Sequence, residues 1–348
     1  MKTADLMFAL NAAKTSLVGV DFIPILSHFC FTGDTVYAYD DVSAVIVSFE
    51  TGIKGAVKGD TLLGILGTCG EEVELSQKGL TLTVKTDTGN IDLPMLSEKD
   101  FLFKFPEDES DWETPLDDTL KEALSLCSVT VGRDPRRPEF IGITFMHDTS
   151  SGAVLYSTDN ISLSRYTVGK PKNISVRVVL PKPAVQQALD LAKLTKETPL
   201  LGMSATTAIF SFNTTPPIFV IARLMEYKGT DFESIIDQHT SGYHGFEVPV
   251  DLERIIDRAC VVLNKSAEKN TTLVVDGNML SINTETALGK AGSNLEISAK
   301  VPKAQVVVNA EILRRVLSLT KEMSITDRSI CLRSDPFVHV IAGIGTGK

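Results

Sequence analysis

The sequence predicts an α+β protein built from three tandem repeats of one unit, two helices with a β-sheet. Three observations carry this. An amphipathic helix, a group of strands, a second amphipathic helix and a further run of strands recur in that order three times along the 348 residues. Aligning the second helices brings Leu66, Leu189 and Leu317 into register, 123 and 128 positions apart (189 − 66 and 317 − 189). Asp40 in YAYDD and Asp159 in YSTDN stand before matching apolar strands, 119 positions apart (159 − 40). A period of about 115 residues is domain-sized, well above the 20–50 of solenoid repeats.

In the first copy LMFALNAAKTSL reads as a helix, with Leu6, Leu10, Ala13 and Leu17 near 3.6-residue spacing. PILSHFCF and DTVYAYDDVSAVIVSF follow as strands. KGDTLLGILGTCG is a short helix ending at glycine, and EEVELSQKGLTLTVKTDTGNIDLPML alternates as strands. The second copy comprises LDDTLKEALSLCSV, EFIGITFMHD, AVLYSTDNISLSRY, PKPAVQQALDLAKLT and strands through IFVIARLMEY. The third comprises DLERIIDRACVVLNK, TTLVVDGNMLSINTE, NAEILRRVLSLTKE and the strands SICLRS and FVHVIAGI. Two joins read as linkers: PEDESDWETPLDD (106–118), acidic and proline-flanked, and DQHTSGYHG (237–245), polar and glycine-rich. The expected domains are 1–113, 114–240 and 241–348.

Composition bounds the class. With 43% hydrophobic and 22% charged residues the chain is globular. No apolar run reaches the roughly 20 residues that cross a bilayer, so no membrane partner is expected. The start MKTADLMFALNAAKTSL is broken by Asp5 and Lys14 and lacks a small-residue cleavage site, which argues against a signal peptide. Cys30, Cys69, Cys127, Cys260 and Cys331 are scattered without a CxxC pair, as suits buried free thiols in a reducing cytoplasm. The net charge of -10 leaves a nucleic-acid partner open, because 34 Lys and Arg could be focused on one face.

Catalytic chemistry finds no constellation. The ending GIGTGK lacks the first glycine of a phosphate-binding loop, where Ala342 stands, and has no Ser or Thr after Lys348. GxSxG, HExxH and cysteine–histidine groups at metal spacing are all missing. The five histidines (His28, His147, His239, His244 and His339) fall in strands or linkers. Asp40/Asp41 and Glu71/Glu72 are neighbours on strands, pointing to opposite faces, so neither pair converges on one ion. Asp40 and Asp159 fit turn caps instead. No metal, cofactor or catalytic residue is expected.

The segments IPILSHFCF, VKGDTLLGIL, RPEFIGITF, YSTDNISLS, ARLMEYKGTDFESII, CVVLNKS and NAEILRRVL, in this order and spacing, resemble the bacterial DNA polymerase III beta subunit, the DNA sliding clamp. The likeness runs along almost the whole chain. It implies the DNA clamp fold, with two three-domain subunits joined head to tail as a ring, twelve helices lining the hole and sheets outside. Such a ring encircles duplex DNA and tethers a replicative polymerase without chemistry of its own. Sliding requires diffuse attraction to phosphates rather than base readout. Basic residues in or beside the six predicted helices are candidates for that lining: Lys14, Lys58, Lys121, Lys182, Lys193, Arg254, Arg258, Arg314 and Arg315. The alternative is that they serve solvated faces, since Lys and Arg are good helix formers.

The resemblance implies two further surfaces. A cleft for short peptides of polymerase and clamp loader maps to Phe140, Thr158, Leu163, Thr230, Ile235, Val340, Ile341 and Ile344, which could equally be ordinary core. The family often has Gly-His-Arg where this chain has Asn160, Ile161 and Ser162, and AGIG with a TGK tail replaces its Met-Pro-Met-Arg-like end. These departures are compatible with a divergent or phage-encoded member and an altered peptide preference. The homodimer contact maps to Phe101 against Val261 and Val262; Phe101 could instead close its own domain's core.

One motif stands apart: GRDPRRP (132–138), three arginines on a proline-stiffened turn of an acidic chain. In the family this connection lies near the hole, so Arg133, Arg136 and Arg137 are expected to reach phosphates, with Pro135 and Pro138 limiting the entropy lost. A competing reading keeps the fold but makes the chain a monomeric scaffold that binds peptides of replication or repair proteins without encircling DNA.

Overall fold

The computed structural model describes residues 1–19, 23–106, 110–134, 136–148, 152–169, 176–264, 266–287 and 289–345. Pro135, part of the acidic linker and the TGK tail lie outside the described residues.

In chain order the first elements are α1 (Thr3–Ala13), β1 (His28–Thr32), β2 (Val36–Tyr39), β3 (Ser43–Val47), β4 (Lys54–Lys58) and α2 (Gly59–Leu66). Then come β5 (Glu74–Lys78), β6 (Thr81–Thr86), β7 (Gly89–Leu96), β8 (Trp112–Pro115) and α3 (Asp118–Ser128). Next are β9 (Gly142–Asp148), β10 (Gly152–Thr158), β11 (Ser162–Thr167), β12 (Val176–Pro181) and α4 (Lys182–Thr195). β13 (Leu200–Met203), β14 (Thr207–Phe212), β15 (Ile218–Arg223), α5 (Phe232–Thr240), β16 (Phe246–Glu247) and α6 (Leu252–Leu263) follow. The chain closes with β17 (Asn270–Thr286), β18 (Gly289–Asn309), α7 (Ala310–Leu317), β19 (Glu322–Ile325), β20 (Ser329–Ser334) and β21 (Phe337–Ala342).

These elements form two compact units, one of residues Met1–Lys121 with Leu180–Met225, the other of Glu122–Val179 with Glu226–Lys348. The first unit holds an 11-stranded sheet in the order β5-β6-β7-β4-β1-β2-β3-β15-β14-β13-β8. The alternation of β1 to β3 turns Phe29, Phe31, Val36, Val45 and Val47 into core. Helix α1 buries Leu6, Ala9, Leu10 and Ala13, the stripe its spacing predicts, against β2 and β3. Pro183 opens α4 in the first turn, where a missing N–H is harmless, and α4 packs on β3 and β15.

The second unit holds an 8-stranded sheet, β12-β9-β10-β11-β21-β20-β19-β16, and the long hairpin β17-β18. Helices α6 and α7 pack on each other and on the hairpin, burying Leu252, Ile256, Leu263, Leu313 and Val316. Asn309 caps α7 by accepting from the Glu311 and Ile312 N–H groups. Apart from the β12–β9 neighbours, the strand pairs described in both sheets and in the hairpin are antiparallel.

Three segments differ from the sequence reading. The acidic stretch read as a linker contains β8, whose Trp112 is buried and pairs with Met203; acidic neighbours masked an edge strand. DQHTSGYHG begins inside α5, capped by the Asp231 carboxylate on the Ser234 N–H, so His239 lies on a helix. PILS makes a 3₁₀ turn from Pro24, which has no N–H to give a sheet, and the strand starts at His28. Among the described residues no helix is long and apolar enough to cross a membrane.

Candidate functional site

The two aspartates singled out in the sequence build the same turn. After β10 the chain reverses through Asn160 at φ 73, a left-handed conformation that Asn tolerates. Asp159 Oδ1 accepts from Ile161 N (3.1 Å), Ser162 N (2.7 Å) and Ser162 Oγ (2.9 Å). After β2, Asp41 takes φ 75 and Asp40 Oδ1 accepts from Val42 N (3.0 Å) and Ser43 N (2.7 Å). The second carboxylate oxygens reach helices: Asp40 Oδ2 accepts from Gln187 Nε2 (2.9 Å) and Asp159 Oδ2 from Arg315 Nη2 (3.4 Å). Gln187 and Arg315 each stand two residues before the aligned leucines Leu189 and Leu317. Burial pushes the Asp40 carboxyl up, against the hydrogen bonds from Ser43 and Val42.

In the second unit the 159–162 turn forms one lip of an apolar cavity of ≈ 120 Å³. Its floor comes from β11 and β21, where Leu163 pairs directly with Val340. Phe140, Thr158, Thr230 and Ile235 complete the expected set, so six of the eight cleft candidates meet. Ile341 does not: it follows Val340 on the strand, faces the opposite side and is buried in the core with Leu313 and Val316. Ile344 is also outside the lining residues, its N–H bonded to the Val307 carbonyl at 2.7 Å. Sequence reasoning missed Phe232 and His239, which line the cleft with Ile235 at i, i+3 and i+7 of α5. That helical stripe was readable in FESIIDQH. Burial and the nearby Arg328 push the His239 imidazole down, so it lines the cleft neutral.

Two carboxylates, Glu139 and Glu233, hold the α5 side in place. The buried Glu139 carboxylate accepts from Lys228 N (3.1 Å) and Thr230 Oγ1 (2.5 Å). Glu233 accepts from the Tyr156 hydroxyl (2.5 Å) and from Arg165 Nη1 (3.1 Å), while Tyr156 stacks on Phe232 at 5.1 Å.

Beside the cleft lies a polar basin lined by Gly132, Arg133, Asp134, Arg136, Arg137, Phe140, Asp159 and Asn160. Its three arginines differ in state. Arg136 grips Asp134 through Nε (2.9 Å) and Nη2 (2.9 Å) and holds that carboxyl down at about 2. Arg137 lies 5.1 Å from the Phe140 ring centroid and donates to Asn160 Oδ1 at 3.2 Å. Arg133 is exposed.

The other basic candidates divide similarly. Lys121, Lys193, Arg254, Arg314 and Arg315 have carboxylate partners in Asp118, Asp190, Asp251, Asp257 and Asp159. Lys14, Lys58 and Arg258 are exposed, with no carboxylate partner among the described residues; Lys182 is half-buried. Phe101 meets Tyr37 edge-on at 5.8 Å and packs on the first unit's core. Val261 is 76% exposed on α6 and Val262 half-buried. Among the described residues no three His, Cys, Asp or Glu side chains are grouped to hold a metal.

No family model matches the sequence, and no curated protein matches it. Solved structures do. The DnaN sliding clamp (DNA polymerase III subunit beta) of Bartonella birtlesii, bound to griselimycin, is similar with a TM-score of 0.85 at 17% identity, over 99% of this chain and 98% of that one. The DNA polymerase sliding clamp of Caulobacter crescentus gives 0.84 at 18% identity over the same shares. The DNA polymerase III subunit beta of Pseudomonas aeruginosa gives 0.84 at 14% identity, again over 99% and 98%. The chain has the fold of these clamps from end to end.

Proposed function

We propose that this protein is a DNA sliding clamp: two copies join head to tail into a ring around duplex DNA and tether a replicative polymerase, with no catalysis of their own. One observation carries the reading, the similarity to sliding clamps over 99% of the chain at a TM-score of 0.85. Three domains, 1–113, 114–240 and 241–348, are supported by two matching junctions. β3 pairs with β15 beside the Asp40–Gln187 bond, and β11 pairs with β21 beside the Asp159–Arg315 bond. A third junction, between subunits, would close the ring. FLFKF (101–105) suits it: the segment is outside the sheets, Leu102 and Phe105 are exposed, and Val261 is an exposed apolar residue of α6. Phe101, Val261 and Val262 are the proposed contact.

The basic residues of the helices and the GRDPRRP turn supply the attraction to phosphates in this reading, Lys14, Lys58, Arg133 and Arg258 most strongly because no carboxylate offsets them among the described residues. The apolar cleft at Leu163 and Val340 takes short peptides of polymerase and clamp loader. The protein works in the cytoplasm with its cysteines as free thiols.

The test is topological. The ring reading expects a two-subunit mass in solution and retention on circular DNA with loss from linear DNA, because a ring slides off free ends. A monomer across micromolar concentrations, equally retained on both, overturns it. That result favours the monomeric scaffold, which a cleft contained wholly in one unit would permit.

A further inference from the structure

The turns that begin at Pro24 and Pro138 are one piece of architecture used twice. Val18 N donates to Leu26 O (2.9 Å) and Gly132 N to Phe140 O (2.7 Å), each bond closing a loop around a 3₁₀ turn opened by the proline. The match sets Glu139 at the place of Ile25. Ile25 is 7% exposed and packs in the first unit's core; Glu139 is just as buried. The turn therefore forms with an apolar residue at this position, and burying a carboxylate there carries a desolvation cost that the fold does not require. What Glu139 adds is a tie. It accepts from Lys228 N (3.1 Å) and Thr230 Oγ1 (2.5 Å), joining the Phe140 turn to the segment that leads into α5. Phe140 lines the cleft, as do Thr230, Phe232 and Ile235, while Glu139 itself is not among the lining residues. The segment is closed on itself by the Tyr227 hydroxyl, which donates to Thr230 O (2.5 Å) alongside the Phe232 N–H (3.1 Å).

We infer that Glu139 is a positioning residue that fixes the width of the cleft and so selects the size of the apolar side chain admitted. The inference rests on reading the cleft as a peptide site. The cavity is lined by groups carried on separate segments; Glu139 is bonded to the segment bearing Thr230, and its chain neighbour Phe140 lines the cleft from the other. With the tie in place an oversized anchor must strain the packing. Without it the segment entering α5 is free to shift outward and make room. A pocket of fixed width separates apolar groups of different size by roughly tenfold or more. Gln can take over the tie, because its oxygen accepts from Lys228 N and its amide nitrogen donates to Thr230 Oγ1. Ala cannot, and leaves the Lys228 N–H without its acceptor.

The test compares anchor selectivity in the full protein and in Glu139→Ala, Glu139→Gln, Thr230→Val and Ile235→Asp. A peptide selected from a randomised display library on the wild type is resynthesised with Leu, Phe or Trp as its apolar anchor. The wild type should bind the better of the Leu and Phe forms roughly tenfold more tightly than the Trp form. Glu139→Ala should bring that ratio toward one by admitting Trp, and Glu139→Gln should restore it. Thr230→Val, which leaves the Lys228 bond in place, should fall between. An equal loss of affinity for all three anchors in Glu139→Ala marks a merely structural residue and overturns the inference. A wild-type ratio near one overturns it too, as does a ratio that survives in Glu139→Ala. If Glu139→Ala does not fold, Thr230→Val decides: an unchanged ratio there overturns the inference, a reduced one supports it. Absence of any peptide whose binding is lost in Ile235→Asp refutes the cleft reading itself, an outcome distinct from the others.

Discussion

His339 offers a measurable link between pH and the strand that floors the cleft. It lies on β21 beside Val340, fully buried, with Nδ1 2.8 Å from the Ser164 hydroxyl and 3.5 Å from Thr130 Oγ1. Burial pushes its pKa from 6.5 down to about 3; Arg315 also lowers it, and Asp159 opposes them. The imidazole therefore stays neutral in the fold, while the unfolded chain takes up a proton below 6.5. Stability from this group is fully present above pH 6.5 and is lost as pH falls toward 3. The loss runs at about 1.4 kcal/mol per pH unit, so about 2 kcal/mol is gone at pH 5 relative to pH 8. Hydrogen exchange at β21 and urea unfolding at pH 8, 6.5 and 5, on wild type and His339→Gln, read this out; the local probe guards against unequal unfolding of the two units. Differencing against the variant removes the carboxylate contributions common to both. A wild-type-minus-variant difference that stays flat from pH 8 to 5 refutes the argument.

Ile235→Asp should lower affinity for a cleft-binding peptide at least tenfold in fluorescence polarisation without loss of thermal stability, because Ile235 is 37% exposed and sits at the mouth. Asp159→Ala removes the turn's acceptor and the partner of Arg315, and should cost about 1–3 kcal/mol in denaturant unfolding; Arg315→Gln, which imitates Gln187 at the matching junction, should cost far less. Replacing Arg133, Arg136 and Arg137 together with Ala should weaken DNA association at low salt and flatten its salt slope by roughly two, not three, because Asp134 already neutralises Arg136. An unchanged slope would leave a merely solvated turn. Val261→Asp should shift the mass in sedimentation from two subunits to one, and no shift would remove α6 from the contact.

Much of this architecture was legible because it is written in local periods. Leu6, Leu10 and Ala13 mark the buried stripe of α1, and NAEILRRVL carries both the cap and the apolar face of α7. YSTDN and YAYDD encode their turns outright, since an aspartate followed by a left-handed residue needs only its own next three residues to form. The order of these pieces then restricted the fold to one type, and six cleft residues were found by position. Other features were decided by distant partners. Trp112 became strand only because Met203 lies across from it, and Ile341 left the cleft because strand alternation turned it into the α6–α7 core. The arginines of GRDPRRP looked equal along the chain. Tertiary structure gave Arg136 to Asp134, laid Arg137 on Phe140 and joined their basin to the cleft. Periodicity and turn chemistry act over a few residues and can be read in line; charge compensation and shared walls depend on which segments meet in space.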